Sequence, residues 1–392
     1  MATLDCLSAR AFDHPRTPAV IRRVVLIGLL LLSCSMDARA GPPTWTNLWH
    51  GFQNHFMDTQ GRVIDPLDGG ITTSEGQAYG LFFALVANDR VLFQRILQWT
   101  QNNLARGDLS RHLPIWRWGR AADGHWGPLS SESASDADLW LAYTLLSAAS
   151  LWHDPHYATI AQGLLRQIER HEVVHLNGWG PVLTPGDGPY WRVDDGFVVN
   201  PSYLPPFVLA GLAHWDRAGP WSAIYGGLPR LFTFADPHGF APDWFVLRNH
   251  GGFAVAPQGP EGSYNAIRCY LWAGMSARDA VNLAILHALR GMAMLVEKGA
   301  PVPEQVDTLD GKTSGHGPPG FAAALLPYLR QLGDTSARER LSDRIYAAWN
   351  PSENRFGPHY YDNALALFAL GYMDGLYRFH ADGTLWVFWA KP

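Results

Sequence analysis

Helix-length apolar segments recur along the whole chain with only short breaks, at 75–86, 90–103, 137–152, 157–171, 204–215, 221–235, 277–297, 320–332, 337–349 and 361–371. No segment alternates in strand fashion over a comparable length, so the expected class is all-α. The breaks are Gly, Pro and Asn clusters such as Asn177-Gly178-Trp179-Gly180-Pro181 and Gly315-His316-Gly317-Pro318-Pro319. About ten helices of this length must close around a common core, as stacked pairs or as a ring of helical hairpins. Small residues over 142–149 suit close helix approach. No clean repeat is visible, which disfavours an open solenoid. A closed ring leaves a central cleft lined by loops.

Arg22 and Arg23 precede an apolar run over 24–32, and Ala38-Arg39-Ala40 offers a small-x-small cleavage site. Residues 1–40 therefore read as a signal peptide and 41–392 as one working domain. An apolar run of about ten residues is too short to span a bilayer, so the expected location is periplasmic or secreted. Leu31-Leu32-Ser33-Cys34 also resembles a lipoprotein cleavage box, which makes a lipid anchor at Cys34 the minor alternative. Cys6 and Cys34 fall in the leader, leaving Cys269 without an internal disulfide partner. The formal charge of −5, with no Lys/Arg cluster, argues against nucleic acid and for a neutral ligand. The 17 tryptophans divide between core packing and loops rich in Gly, Pro and Asp, where an indole can stack on a pyranose ring. Trp116 and Trp118 are the leading stacking candidates.

Two carboxylates stand where loops run into apolar helices: Glu75 in Thr72-Thr73-Ser74-Glu75-Gly76-Gln77, and Asp136 in Ser133-Ala134-Ser135-Asp136-Ala137-Asp138. Acetal hydrolysis needs an acid for the leaving oxygen and a base or nucleophile across the sugar ring. A helix N-terminus favours the ionised carboxylate, so an acid placed there needs desolvation or a second carboxylate to keep its proton. Glu75 is the candidate acid and Asp136 the candidate neighbour. Simple helix capping is the alternative, and on spacing alone both stay open.

The segments Thr73-Ser74-Glu75-Gly76-Gln77 and Ala134-Ser135-Asp136-Ala137-Asp138 resemble the two signatures of glycoside hydrolase family 8. Arg62-Val63-Ile64-Asp65-Pro66, Asn200-Pro201-Ser202-Tyr203-Leu204-Pro205-Pro206 and Gly262-Ser263-Tyr264-Asn265-Ala266-Ile267-Arg268 resemble the endoglucanases that accompany bacterial cellulose synthase. The resemblance implies an (α/α)6 barrel, a monomer, and inverting attack on β-1,4-glucan without a cofactor or metal, with a functional link to a cellulose synthase complex. It makes Glu75 the proton donor and gives Asp136 the placing of the sugar at the cleaved position. Tyr203, Tyr264 and Arg268 join Trp116 and Trp118 as candidate substrate-binding residues.

One position departs from the pattern. The resemblance implies a general-base Asp where this chain has Asn265, and an amide does not accept a proton from water at neutral pH. Three explanations compete: a weakened or silent glucan-binding protein, a substitute base among Asp136, Asp194, Asp195 and Glu261, or an engineered change that traps substrate. Arg268 follows three residues later, close enough to meet Asn265 on a helix.

His171-Glu172-Val173-Val174-His175 matches the H-E-x-x-H zinc-protease pattern, with Pro181 where the longer pattern has a third His. Asn177-Gly178 breaks the helix soon after, so the expected reading is an ordinary helix end. A purely structural helical toroid is a third class, opposed by the Trp-rich loops.

Overall fold

The computed structural model describes residues 43–390. The signal-peptide reading and the anchor at Cys34 fall on residues outside these. Thirteen α-helices lie among the described residues: α1 Trp45–Phe56, α2 Ser74–Val86, α3 Arg90–Leu104, α4 Ser135–Trp152, α5 Pro155–His171, α6 Pro206–Trp215, α7 Trp221–Leu231, α8 Ala266–Met275, α9 Ala280–Ala288, α10 Arg290–Glu297, α11 Pro319–Leu332, α12 Thr335–Ala348 and α13 Tyr360–Met373.

Residue pattern sorts them into two rings. The helices α2, α4, α6, α8, α11 and α13 are buried along nearly their whole length and carry apolar or small residues on every side. Each sits inside, touched by neighbours all round. By contrast α3 buries one face, with Phe93, Ile96, Leu97, Trp99, Thr100 and Leu104, and α5 another, with Tyr157, Ile160, Ala161, Gly163, Leu164, Leu165 and Ile168. Such one-sided helices belong outside. Around the inner ring α2 packs on α4, α4 on α6, α6 on α8, α8 on α11 and α11 on α13. Phe368 of α13 closes it against Tyr79, Phe82 and Phe83 of α2, with ring centres 4.8, 5.5 and 4.7 Å apart. The outer helices α3, α5, α7, α9, α12 and α1 each back one inner helix. This is the (α/α)6 barrel that the sequence resemblance implied.

Trp140 of α4 fills the axis, meeting Tyr79, Phe82, Phe207, Trp272 and Phe368 from four other inner helices. Large aromatics here do by volume what a sheet does in other barrels. Elsewhere small residues let backbones touch: a Cβ on Gly274 of α8 would stand 2.2 Å from the backbone nitrogen of Tyr328 on α11.

Several boundaries differ from the sequence reading. The segment 277–297 breaks at Leu289 into α9 and α10, bent by 55°. The segment 221–235 stays α-helical only to Leu231 and tightens into a 3-10 turn over Phe232–Ala235. The helices α1 and α8 were not foreseen as elements. Nor were the short antiparallel strands of two to four residues that stiffen the loops. Runs this short are below the length at which alternation registers. One such sheet joins Thr72–Thr73, Arg117–Arg120 and Trp126–Pro128; another joins Arg192–Val193, Gly196–Val199, Phe245–Arg248 and Phe253–Val255. Both lie at the mouth of the barrel, against the N-termini of α2 and α8.

The contact at Gly274 is open to test. Gly274→Val should destabilise the fold by about 1–3 kcal/mol, since neither backbone can retreat. Gly226→Ala on the outer helix α7, where nothing lies within 4 Å, should be neutral or stabilising by roughly 0.4–1 kcal/mol. Urea unfolding midpoints of the two variants give the comparison.

Candidate active site

The N-terminal ends of the inner helices converge at one mouth of the barrel. Thr73 caps α2 by accepting the Gly76 N–H at 3.0 Å, which fixes Glu75 in the first turn. Asp136 occupies the same place on α4, Asn265 and Arg268 on α8, and Tyr360 on α13. A 3-10 turn ahead of α6 brings Tyr203, and Asn200 caps that turn through the Ser202 N–H at 3.0 Å.

Arg268 joins these groups. Its Nη1 donates to Glu75 Oε2, to Asp136 Oδ2 at 3.0 Å and to the Tyr79 hydroxyl at 3.1 Å. Its Nη2 donates to Asn265 Oδ1 at 2.7 Å, and the guanidinium lies 5.5 Å from the centre of the Tyr203 ring. The side chains of Arg268 and Asp136 are 3 and 4 % exposed, whereas Glu75 remains 21 % exposed. Of the two carboxylates, Glu75 is therefore the one a ligand can reach. Its second oxygen accepts from Tyr360 at 3.4 Å.

These positions set the proton affinities. Burial pushes Glu75 up to about 7, with Arg268 pulling it down and Asp136 pushing it further up. Burial also raises Asp136, opposed by Arg268 and by the Ala137 N–H. Asp136 has both oxygens engaged, Oδ2 by Arg268 and Oδ1 by Ala137 at 2.8 Å. The pair divides into a reachable acid poised near neutrality and a locked carboxylate that orients Arg268.

The loop carrying Asp136 is itself pinned from behind. Ser133 donates its hydroxyl to Glu172 Oε1 and its N–H to Asp187 Oδ1, and Ser135 donates its hydroxyl to the Thr184 carbonyl. Glu172 is fully buried, and no ordinary donor reaches its Oε2 or either oxygen of Asp138. The two facing carboxyls can satisfy one another only through a retained proton. Burial accordingly raises Asp138 well above the carboxylate range and Glu172 to about 8. This is where the H-E-x-x-H pattern leads. The helix α5 ends at His171, and His175 stands on the strand Val173–Leu176, so the two imidazoles share no helical face.

The remaining sequence candidates spread along the mouth. Trp116 is 39 % exposed on the segment whose carbonyl accepts the Ser74 N–H, beside Glu75. Trp118 is half-buried on the strand Arg117–Arg120: the Arg62 guanidinium lies 4.7 Å from its ring centre, Trp99 meets it at 5.2 Å and Trp126 at 5.5 Å. Tyr264 sits on the rim, donating to Glu304 at 3.1 Å, with its carbonyl taking the Tyr361 hydroxyl at 2.6 Å. Sequence reasoning passed over Tyr79, Tyr360, Asn200 and Asp243. Of these only Asn200 carried a signal, as the head of the Asn-Pro-Ser-Tyr segment.

Comparison with known proteins gives the family and the fold. Residues 20–375 match the family described as Glycosyl hydrolases family 8. An endoglucanase of Xanthomonas axonopodis pv. citri (strain 306) is 41 % identical over 93 % of this chain and 95 % of its own length. An endoglucanase of Escherichia coli (strain K12) is 40 % identical over 95 % of this chain and 98 % of its own. The crystal structure of an endo-1,4-D-glucanase from Vibrio fischeri ES114 superposes with a TM-score of 0.83 at 37 % identity, covering 88 % of this chain and 99 % of that one.

The retained proton behind Asp136 has a consequence for stability. Glu172 is raised in the folded state, so its contribution is fully present below about pH 4.5 and is lost as pH rises through about 8. The thermal midpoint should fall across that window, and Glu172→Gln, which keeps the shape and cannot ionise, should shrink the decline. Melting curves of both proteins from acid to mildly alkaline buffer would expose an equal slope in the two, which this account does not allow.

Proposed function

The chain belongs to glycosyl hydrolases family 8, and from that premise we propose that it cuts internal β-1,4-glucosidic bonds of glucan chains with inversion at the anomeric carbon. The supporting observation is the pair Glu75 and Asp136 on one guanidinium, with the reachable member raised to about 7. A carboxyl at that value still carries its proton near neutrality and gives it up readily, as a general acid must. Asp136 and Arg268 supply a fixed field that favours the positive charge developing on the sugar ring. Trp116 and Tyr203 offer flat faces for the sugars on either side. The endoglucanase names of the relatives support β-1,4-glucan as substrate.

The resemblance of the segments around Asn200 and Asn265 to cellulose-synthase-associated enzymes supports a role beside glucan synthesis, with the leader delivering the protein to the periplasm. A second reading, a glucan-binding protein that does not cut, is favoured by Asn265 alone. The amide oxygen there is taken by Arg268 at 2.7 Å and by Asn200 Nδ2 at 3.0 Å.

Hydrolysis of cello-oligosaccharides, followed by the anomeric NMR signal of the first product, separates the two readings. Cleavage giving the α-anomer supports inversion; the β-anomer excludes it. The acid must be protonated to act, so kcat should fall as pH rises through about 7. Glu75→Gln should abolish cleavage while affinity for the oligosaccharide stays within a few-fold. Undiminished turnover in that variant removes Glu75 from the acid role.

A further inference from the structure

Asn265 is poorly suited to take a proton and well suited to hold a water. Two donors, Arg268 Nη2 and Asn200 Nδ2, meet its Oδ1. Asn200 is itself fixed, because its own Oδ1 accepts the N–H and hydroxyl of Ser202 at 3.0 and 2.7 Å. The Asn265 –NH2 is thereby turned the other way, where no acceptor among the described residues meets it and where it is not sealed from solvent. A water bound there accepts from the amide and keeps its own protons for another group.

The carboxylates that sequence offered as substitutes stand elsewhere or are already held. Asp194 and Asp195 occupy the outer turn between Arg192–Val193 and Gly196–Val199, and Asp195 pairs with Arg248 at 3.6 Å. Five residues of extended chain separate Asp195 from Asn200, or roughly 16 Å. Glu261 folds back over its own turn, its Oε2 2.2 Å from where a Cβ on Gly259 would stand. Asp136 has both oxygens occupied.

Asp243 is in the right place. Its Oδ1 accepts the N–H groups of Ser263, Asn265 and Ala266 at 2.9, 3.0 and 2.7 Å, seating the carboxylate on the first turn of α8. Its own N–H donates to the Glu261 carbonyl at 2.8 Å, so the backbone that carries it is also held. The second oxygen takes no hydrogen bond from any described residue, and it is not among the sealed-off polar atoms. Next to it Trp244 lies against Trp191, 5.4 Å apart and 11° from parallel, and meets Tyr203 at 6.0 Å. Tyr203 in turn lies under Arg268, so Asp243 opens on the same cleft as the acid. Burial raises its pKa, opposed by the three amides and Arg268, which strengthens it as a proton acceptor.

We propose that Asp243 is the general base of this chain, its Oδ2 removing the proton of the attacking water that Asn265 holds. The inference rests on the glucan-hydrolysis reading above. Glu75 gives its proton to the glycosidic oxygen, and the bond from that oxygen to the anomeric carbon breaks with the electron pair going to oxygen. Water closes on the anomeric carbon from the opposite face. Its proton passes to Asp243 and then to solvent, so one water is consumed and nothing else is needed.

The test uses the full chain and cellopentaose, with kcat, calorimetric affinity and thermal midpoint measured for wild type, Asp243→Asn, Asn265→Asp and the double variant. An asparagine at 243 keeps a carbonyl for the three amides, so folding and affinity should hold while kcat falls about 100-fold or more. The double variant should recover to within about tenfold of Asn265→Asp, because the base has only moved along the helix end. Should Asp243→Asn fail to fold, Asp243→Ser, whose hydroxyl still caps α8, is read in the same way. An unchanged kcat in a folded Asp243 variant overturns the proposal. So does an inert wild type revived by Asn265→Asp alone, an outcome that leaves the glucanase chemistry standing. Wild type and Asn265→Asp both inert on cellopentaose would remove the glucanase reading together with the base.

Discussion

Arg268 is a full positive charge buried at the point where the barrel opens. An unpaired guanidinium in that position would carry several kcal/mol of desolvation. It is tolerable because Glu75, Asp136, Asn265 and the Tyr79 hydroxyl arrive around it from α2, α4 and α8. The planar fork of arginine can serve two carboxylates and an amide at once, which a lysine ammonium cannot do with the same geometry. The demand runs in both directions. Three inner helices must present their first turns at one height, and the ring that presents them so is the one whose core Trp140 and Phe368 fill.

The same constraint explains which parts of the fold were readable. The outer helices announce themselves by a 3.6-residue stripe. The inner ones are apolar all round, and their periodicity is weak; α2 and α4 were found by length and by the polar residues at their heads. The helix α8 lacked even that help, because Gly262, Ser263 and Asn265 read as loop and Ala266–Met275 is small, aromatic or apolar apart from Arg268. The helix α1 was legible in principle from Trp45, Leu48, Trp49, Phe52 and Phe56. It went unread because the reading of a leader drew the eye to the residues just before it. The break at Leu289 is marked only by Gly291 two residues on, whose N–H goes to the Gly239 carbonyl at 2.9 Å.

The site was legible in half. Glu75 and Asp136 stood out because a carboxylate at the head of an apolar helix is conspicuous. Their shared guanidinium was guessable only as a neighbour of position 265. Asp243 and Tyr360 could not be read, since each earns its role from residues 20 or more positions away. Glu172 shows the opposite failure, a motif that suggests metal chemistry and instead holds the Asp136 loop through Ser133. A motif fixes residue types at a spacing. What they do depends on where the helix ends, and α5 ends one residue before Glu172.

The amide at 265 also bears on the acid. The guanidinium distributes its field among the groups that face it, and an amide oxygen draws on that field less than a carboxylate does. With Asn265 in place, Glu75 and Asp136 are the only carboxylates among the described residues that meet Arg268 directly. A third carboxylate at 265 would take its share of the positive charge and repel Glu75 besides, so the acid would hold its proton to still higher pH. Position 265 therefore acts on both ends of the reaction. An amide there lowers the acid toward its value of about 7, and it also removes a competing negative charge from beside Asp243. A base set one step back on the helix end, with its far oxygen unshared, is compatible with that arrangement in a way that two adjacent carboxylates are not.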